Sequence, residues 1–272
     1  MKKIMKKIKL ILISLCVGLV TTSAVVNIWN NKNKIYSKFF ASKSVIPNTK
    51  NDIAINDVQN KDLYYANDII NKGGYILFFR HAEREKWIDV TAYDALQLLI
   101  PFHEETSYKE SYFEKAVCLS EKGQVQARMM GYFIDFFNTP IQKVISSPSC
   151  RAIQTSNLAF GQIDEINNFI LHYGPFNENL EELNTSVKKL ILENQPHSNS
   201  NIFFSGHNGV IFSSIIDEYS FDTNQDSLDI DKFFHLEEGG FYVLKASDNK
   251  LIMVHKFENF QHFIKPLLKR PL

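Results

Sequence analysis

Cysteine is scarce in this chain: Cys16, Cys118 and Cys150 are the only three in 272 residues. No CxxC pair and no Cys/His cluster has ligand spacing, which excludes zinc fingers and ribbons. Cys16 lies in an apolar leader, so the body holds at most one disulfide. Sequence alone says nothing about the separation of Cys118 and Cys150, and no bond between them is expected. Cys150, beside Arg151, reads as a small buried residue rather than a nucleophile. An excess of one charge is missing too, since 30 basic and 30 acidic residues cancel. Residues 1–26 hold five lysines (Lys2, Lys3, Lys6, Lys7, Lys9) and no acid, so the remainder carries five more acids than bases. Such a body has no general attraction for nucleic acid or anionic lipid, and no nucleic-acid partner is expected. Any anion it binds must be held by a few cations focused in one pocket. Internal repeats and low-complexity blocks are also absent. With 44% hydrophobic and 22% charged residues, the chain is globular and long enough for one sizeable α/β core.

The first segment is basic over residues 1–9 and uncharged from Leu10 to Val26, with small residues at Thr22-Ser23-Ala24. That is the layout of a secretory signal. The run of about 17 apolar residues is near the lower limit for spanning a bilayer. Two readings stand for residues 1–28: a cleaved signal peptide, or a retained N-terminal membrane anchor. Positive-inside orientation would keep the lysines in the cytoplasm and the body outside. A buried helix of the fold is the bland alternative. Export is expected, either periplasmic or extracellular, or anchored with the body outside the cytoplasm. Residues 29–64, rich in Asn, Lys, Asp and Ser, read as a polar tether to a domain over 65–272.

Within that domain, Tyr75–Phe79 is a continuous apolar run, as in a strand buried on both faces. Leu119–Phe137 has helical spacing, with Ser120 as N-cap. Lys143–Ser146 reads as a second strand, followed by a helix through Arg151, Thr155 and Leu158. Phe169–Leu171 suggests a third strand and Asn179–Leu192 another helix. Ile202–Phe204 is a fourth strand, with a helix expected from Val210 to Ile216. Phe241–Leu244 and Leu251–His255 form a last pair around the turn signal Asp248-Asn249. Alternation of strands and helices implies a mostly parallel sheet covered on both faces. Residues 87–118 lack periodicity and read as an excursion over a site, where Trp87, Tyr93, Tyr108, Tyr112 and Phe113 either line substrate or pack the excursion onto the sheet.

Arg80-His81, Arg151 and His207 each follow directly on an apolar strand or on the turn after one. The carboxyl ends of parallel strands lie on one edge, where ligands bind. These residues could therefore meet in a cationic pocket, and guanidinium forks match phosphoryl oxygens. A helix starting after His207 would add backbone N–H groups. Taken singly each piece is weak. Arg84 could sit in a surface ion pair with Glu83 or Glu85, and His207 in a plain turn. His235, His255 and His262, without carboxylate partners, make no metal site.

Four segments in order resemble the histidine phosphatase superfamily, also called phosphoglycerate mutase-like. Phe78-Phe79-Arg80-His81-Ala82-Glu83-Arg84 is similar to its arginine-histidine signature, with alanine in place of the usual glycine. Leu119–Ala127 and Ile145–Thr155 are similar to its next helix start and second motif. Ser205-Gly206-His207-Asn208 is similar to the segment bearing its second histidine. The resemblance covers roughly residues 72–257. It implies a three-layer α/β/α fold with a mostly parallel central sheet, and a phosphohistidine mechanism with no metal or cofactor. By match of motif, His81 is the nucleophile, His207 the second histidine, and Arg80, Arg84 and Arg151 are phosphate ligands. The proton donor is less well marked. One branch places a glutamate near Glu178, with Glu181 and Glu182 as rivals, and another places an acid where this chain has Asn208. The expected substrate is a small-molecule or protein phosphomonoester. A phosphomutase, or a phosphate-binding module without turnover, is the competing expectation.

Overall fold

The computed structural model describes residues 61–85, 118–172, 179–221 and 230–268, all within the compact unit Ala54–Leu272. The leader, the excursion up to residue 117 and Glu178 lie outside these residues. Among the described residues no helix is long and apolar enough to cross a membrane.

The chain enters through helix α1 (61–71), which straddles the boundary placed at residue 65 from composition. Its polar face hides a narrow apolar stripe, of which Ala66 and Ile69 are fully buried. It is fastened by Tyr75 Oη donating to Asp68 and by the Asn201 amide donating to the Ile69 carbonyl. Strand β1 (Ile76–Arg80) follows, then α2 (Glu121–Phe136), β2 (Ile141–Ser146) and α3 (Cys150–Thr155), which runs into a π-helical turn, Ser156–Phe160. After the short β3 (Glu165–Ile166) come α4 (Leu180–Glu193), β4 (Asn201–Gly206) and β5 (Glu218–Tyr219). The one-turn α5 (Ile230–Phe233) leads to β6 (Phe241–Ser247), β7 (Lys250–Phe257) and α6 (Phe260–Leu268).

Among the described residues seven strands make one sheet, in the order β3-β2-β4-β1-β6-β7-β5. Only β6 runs against the others. The hairpin β6–β7 turns at Asp248 and Asn249, with φ of 50° and 61°, the left-handed pair that matches strand twist. Alternation along the central strands produces two cores. Leu77, Phe79, Val144, Phe203 and Phe241 face α1, α2 and α6; Ile76, Phe78, Ile145, Ile202 and Phe204 face α4 and the chain after β4. This is the three-layer α/β/α arrangement with a mostly parallel sheet. It also explains why β1 and β4 are apolar at successive positions: both faces are covered.

Three local expectations change. Phe169–Leu171 is not a strand: Asn167 accepts from the Phe169 N–H and starts a 3-10 turn, Asn168–Ile170, after the two-residue β3. No helix follows His207. Gly209 turns left-handed at φ 74°, and the chain crosses to a 3-10 turn at Ser213–Ile215, so the expected helix N-terminus at that point is lost. The third correction is covalent, because Cys118 and Cys150 form a disulfide. The Leu119 N–H donates to Gln154 Oε1 at 2.7 Å, which draws residue 118 onto α3. Sequence separation concealed that approach.

The bond spans 32 residues of sequence. A closed loop of that size restricts the unfolded chain, so reduction, or Cys118→Ser, should lower the unfolding free energy by about 3–4 kcal/mol. Denaturant melts with and without reductant measure it. An unchanged midpoint would show that the bond adds no stability.

Candidate active site

The pocket is built at the carboxyl edge of the three central strands. Arg80 ends β1 and stands in register with Gly206 at the end of β4. The His81 N–H donates to the Gly206 carbonyl at 3.0 Å, so both histidines leave the sheet side by side. Their rings lie 5.2 Å apart, centroid to centroid. Gly206 is required here because a Cβ would stand 2.6 Å from the Phe78 ring and 3.2 Å from the Ile170 carbonyl. On the other flank, the Ser147 N–H donates to the Ser205 carbonyl and continues the pairing of β2 with β4. Ser149 then caps α3 through the Ala152 N–H and delivers Arg151 one residue into the helix.

Thr155 joins the first motif to the second. Its hydroxyl accepts from the Ala82 N–H at 3.0 Å and donates to the Arg151 carbonyl at 2.7 Å. Ser205 Oγ adds a bond to the Ala152 carbonyl. The loop after His81 is held from the far side by α2, which approaches so closely that a Cβ on Gly123 would overlap the Glu83 carbonyl. Ser120 serves as the N-cap that spacing predicted, accepting from the Gly123 N–H.

Hydrogen-bond chemistry assigns the tautomers. His81 Nδ1 lies 2.7 Å from the Ala82 carbonyl, which can only accept, so Nδ1 carries the hydrogen and Nε2 the lone pair. His207 Nδ1 lies 3.2 Å from a guanidinium nitrogen of Arg151, which can only donate, so Nδ1 is the acceptor. Its hydrogen is therefore on Nε2, which meets Ser147 Oγ at 2.9 Å and Ser149 Oγ at 3.1 Å.

Both imidazoles are buried, with 4% of their surface exposed. Burial first, and the Arg151 charge second, hold both well below the ordinary histidine value. Arg80 and Arg84 push His81 the same way. Both rings are thus neutral at pH 7. In the unfolded chain each titrates at about 6.5, so below that pH the unfolded state binds more protons than the folded state. Stability from this source is complete above about pH 6.5 and is lost as pH falls toward the depressed folded values. The expected slope reaches up to about 2.7 kcal/mol per pH unit when both rings contribute. Denaturant unfolding between pH 7 and 5 reads it, and a double variant, His81→Asn with His207→Asn, should flatten the curve. An equally steep curve in that variant would contradict neutral rings.

The predicted residues fall as follows. His81, His207, Arg80 and Arg151 converge. Arg151 is 2% exposed, and its charge acts on Arg80 and on both histidines. Arg80 donates to the Leu236 carbonyl at 2.6 Å and meets Glu238 at 3.5 Å. Arg84 adds its charge at His81, while its guanidinium donates to the Glu85 carbonyl. Glu83 pairs with Lys122. Glu178 lies outside the described residues. Glu181 and Glu182 lie at the start of α4, where their N–H groups donate to the Asn179 cap. Asn208 is a clamp: its amide accepts from the Leu236 N–H and donates to the Leu236 carbonyl, both at 3.0 Å, steadying the carbonyl that Arg80 also uses. His235 stands beside Asn208; His255, expected to have no carboxylate partner, pairs with Asp62 at 2.8 Å, 193 residues away in sequence.

Sequence reading missed a third histidine. His172, half-buried after the Asn168–Ile170 turn, sets its ring edge-on to His207 at 5.1 Å. Ser147 and Ser149 were also missed as partners of His207. No spacing marked His172, since it lies 35 residues before His207 on a separate turn.

Fold and pocket together describe an α/β protein in which two buried imidazoles and the buried Arg151 side chain meet at the carboxyl edge of one sheet, with the charge of Arg80 acting on them. No family model and no curated protein matches the chain. Solved structures similar to it include the protein histidine phosphatase SixA complexed with tungstate, at 11% identity and TM-score 0.42, covering 67% of this chain and 96% of that one. Phosphoserine phosphatase from Entamoeba histolytica, in complex with 3-phosphoglyceric acid, is 14% identical with TM-score 0.41, covering 70% of this chain and 98% of that one. Alpha-ribazole phosphatase from Shigella flexneri is 12% identical with TM-score 0.41, covering 68% and 96%. What the pocket does is read from its own geometry.

Proposed function

We propose that the chain is a histidine phosphatase of the phosphoglycerate mutase-like superfamily, a phosphomonoesterase that works through a phosphohistidine on His81. One observation carries the reading: the Ala82 carbonyl holds the His81 hydrogen on Nδ1, so Nε2 points a lone pair into a pocket containing Arg151 and His207. A neutral imidazole is what nucleophilic attack on phosphorus requires. Nε2 forms the P–N bond as the bond to the leaving oxygen breaks, and that oxygen takes a proton. Arg80 and Arg151 stabilise charge on the equatorial oxygens, a role that positioning and electrostatics can fill without metal. Arg84, whose charge already acts on His81, is assigned to the same phosphoryl group. Water then attacks phosphorus, the P–N bond breaks, and phosphate leaves with His81 neutral again.

Export belongs to the same proposal, whether by a cleaved leader or an anchor. Its support is the basic then uncharged N-terminal sequence and the Cys118–Cys150 bond, since disulfides persist mainly in oxidising compartments. Steady turnover of para-nitrophenyl phosphate by the purified protein tests the activity. Phosphate binding with no hydrolysis of that ester would leave a binding module in place of an enzyme.

A further inference from the structure

We propose that His172 supplies the proton to the leaving group, an assignment that rests on the phosphatase reading above. An alkyl phosphate releases a strongly basic alkoxide, and a placed general acid is typically worth about 10²–10⁴-fold in rate. The groups already assigned cannot act as that acid. His81 spends Nε2 on phosphorus and keeps its hydrogen on the Ala82 carbonyl. His207 has Nδ1 occupied by the Arg151 guanidinium, which leaves no place there for a second proton, and its one hydrogen turned to Ser147 and Ser149. Guanidinium groups do not release protons in proteins. Asn208, at the position after the second histidine, is an amide clamp on Leu236.

His172 differs in placement. Ile170 and Leu171, 0% and 1% exposed, anchor its turn, and the Ile170 carbonyl lies against Gly206 at the end of β4. His172 itself is half-buried, with its ring edge-on to that of His207. His207 touches the rings of both His81 and His172, which sets the three imidazoles in sequence from the nucleophile outward. In-line attack by His81 sends the leaving oxygen away from His81, and the assignment requires His172 to reach that side. A bound phosphoryl dianion favours the cationic form of an imidazole beside it. On this assignment His172 passes its proton to the alkoxide as the P–O bond breaks, and takes one back from the water that later hydrolyses the phosphohistidine.

The test compares two esters of opposite leaving-group quality, para-nitrophenyl phosphate and glycerol 2-phosphate, across the unaltered protein, His172→Gln, His172→Ala and Glu178→Gln. Expected is a fall of about 10²–10⁴-fold in kcat/KM for glycerol 2-phosphate in both His172 variants. The same variants should stay within about threefold on the aryl ester, which leaves without protonation. A purely structural role would lower both esters together, and that result overturns the assignment. So does no change on either ester, activity of the unaltered protein on the aryl ester alone, or a selective alkyl loss in Glu178→Gln with none in the His172 variants. If the unaltered protein hydrolyses neither ester, the phosphatase reading falls and this one with it. If aryl turnover persists while the selective loss is missing, only the acid assignment falls.

Discussion

Replacing His81 with alanine should lower kcat for para-nitrophenyl phosphate by at least about four orders of magnitude, the scale seen when a nucleophile is removed from a preorganised site. The leaving group in this assay needs no acid, so the loss isolates the nucleophile. The fold should survive. His81 is held by its backbone, with its N–H on the Gly206 carbonyl, and the Ala82 N–H on Thr155 secures the next residue. Removing the ring deletes the bond from Nδ1 to the Ala82 carbonyl. It also removes a neutral ring that burial and three arginines already disfavour in its charged form. Circular dichroism and a cooperative melt check folding, and steady-state assays check activity. A folded variant with undiminished turnover would show that another group attacks phosphorus.

Arg151→Met should act on two observables at once. The side chain is among the largest fully buried ones, and a guanidinium nitrogen contacts His207 Nδ1 at 3.2 Å. Loss of a preorganised charge aimed at the transferring group is expected to lower kcat/KM by about 10²–10³-fold. The same substitution removes the second-largest cause that holds His81 and His207 below the ordinary histidine range. Their titrations should therefore move up, toward but not reaching the ordinary value, because burial remains the first cause. Imidazole resonances followed by NMR across pH give the shift and its sign. An activity loss with both titrations unmoved would mean that Arg151 binds substrate but does not set the state of the histidines.

Much of this arrangement is legible in the sequence. The runs Ile76–Phe79 and Ile202–Phe204 are apolar without alternation because both faces are covered, and that pattern marks interior parallel strands. Once the strands are placed, the residues at their carboxyl ends follow, and Arg80, His81, Arg151 and His207 do meet. Ser120 was readable as a cap because capping is local. What could not be read depends on distance through space. Cys118 and Cys150 are separated by 32 residues, and the docking of Leu119 on Gln154 brings them together. His172 stands on a turn that periodicity took for a strand, and nothing local to it signals the His207 ring. The helix expected after His207 fails because Gly209 adopts a left-handed conformation, which apolar spacing in Val210–Ile216 does not reveal. The first residues of helix α1, 61–64, fall in the expected polar tether because the helix buries only a thin stripe, Ala66 and Ile69.

The central claim is covalent, so its sharpest test is chemical. The protein is mixed with excess para-nitrophenyl phosphate, quenched in base within the first turnovers, digested and sequenced by mass spectrometry. A phosphoryl group on His81, lost when the sample is acidified and gone from enzyme quenched after the substrate is consumed, is the predicted result. A phosphoryl group on any other residue, or steady hydrolysis with His81 never modified, contradicts the account.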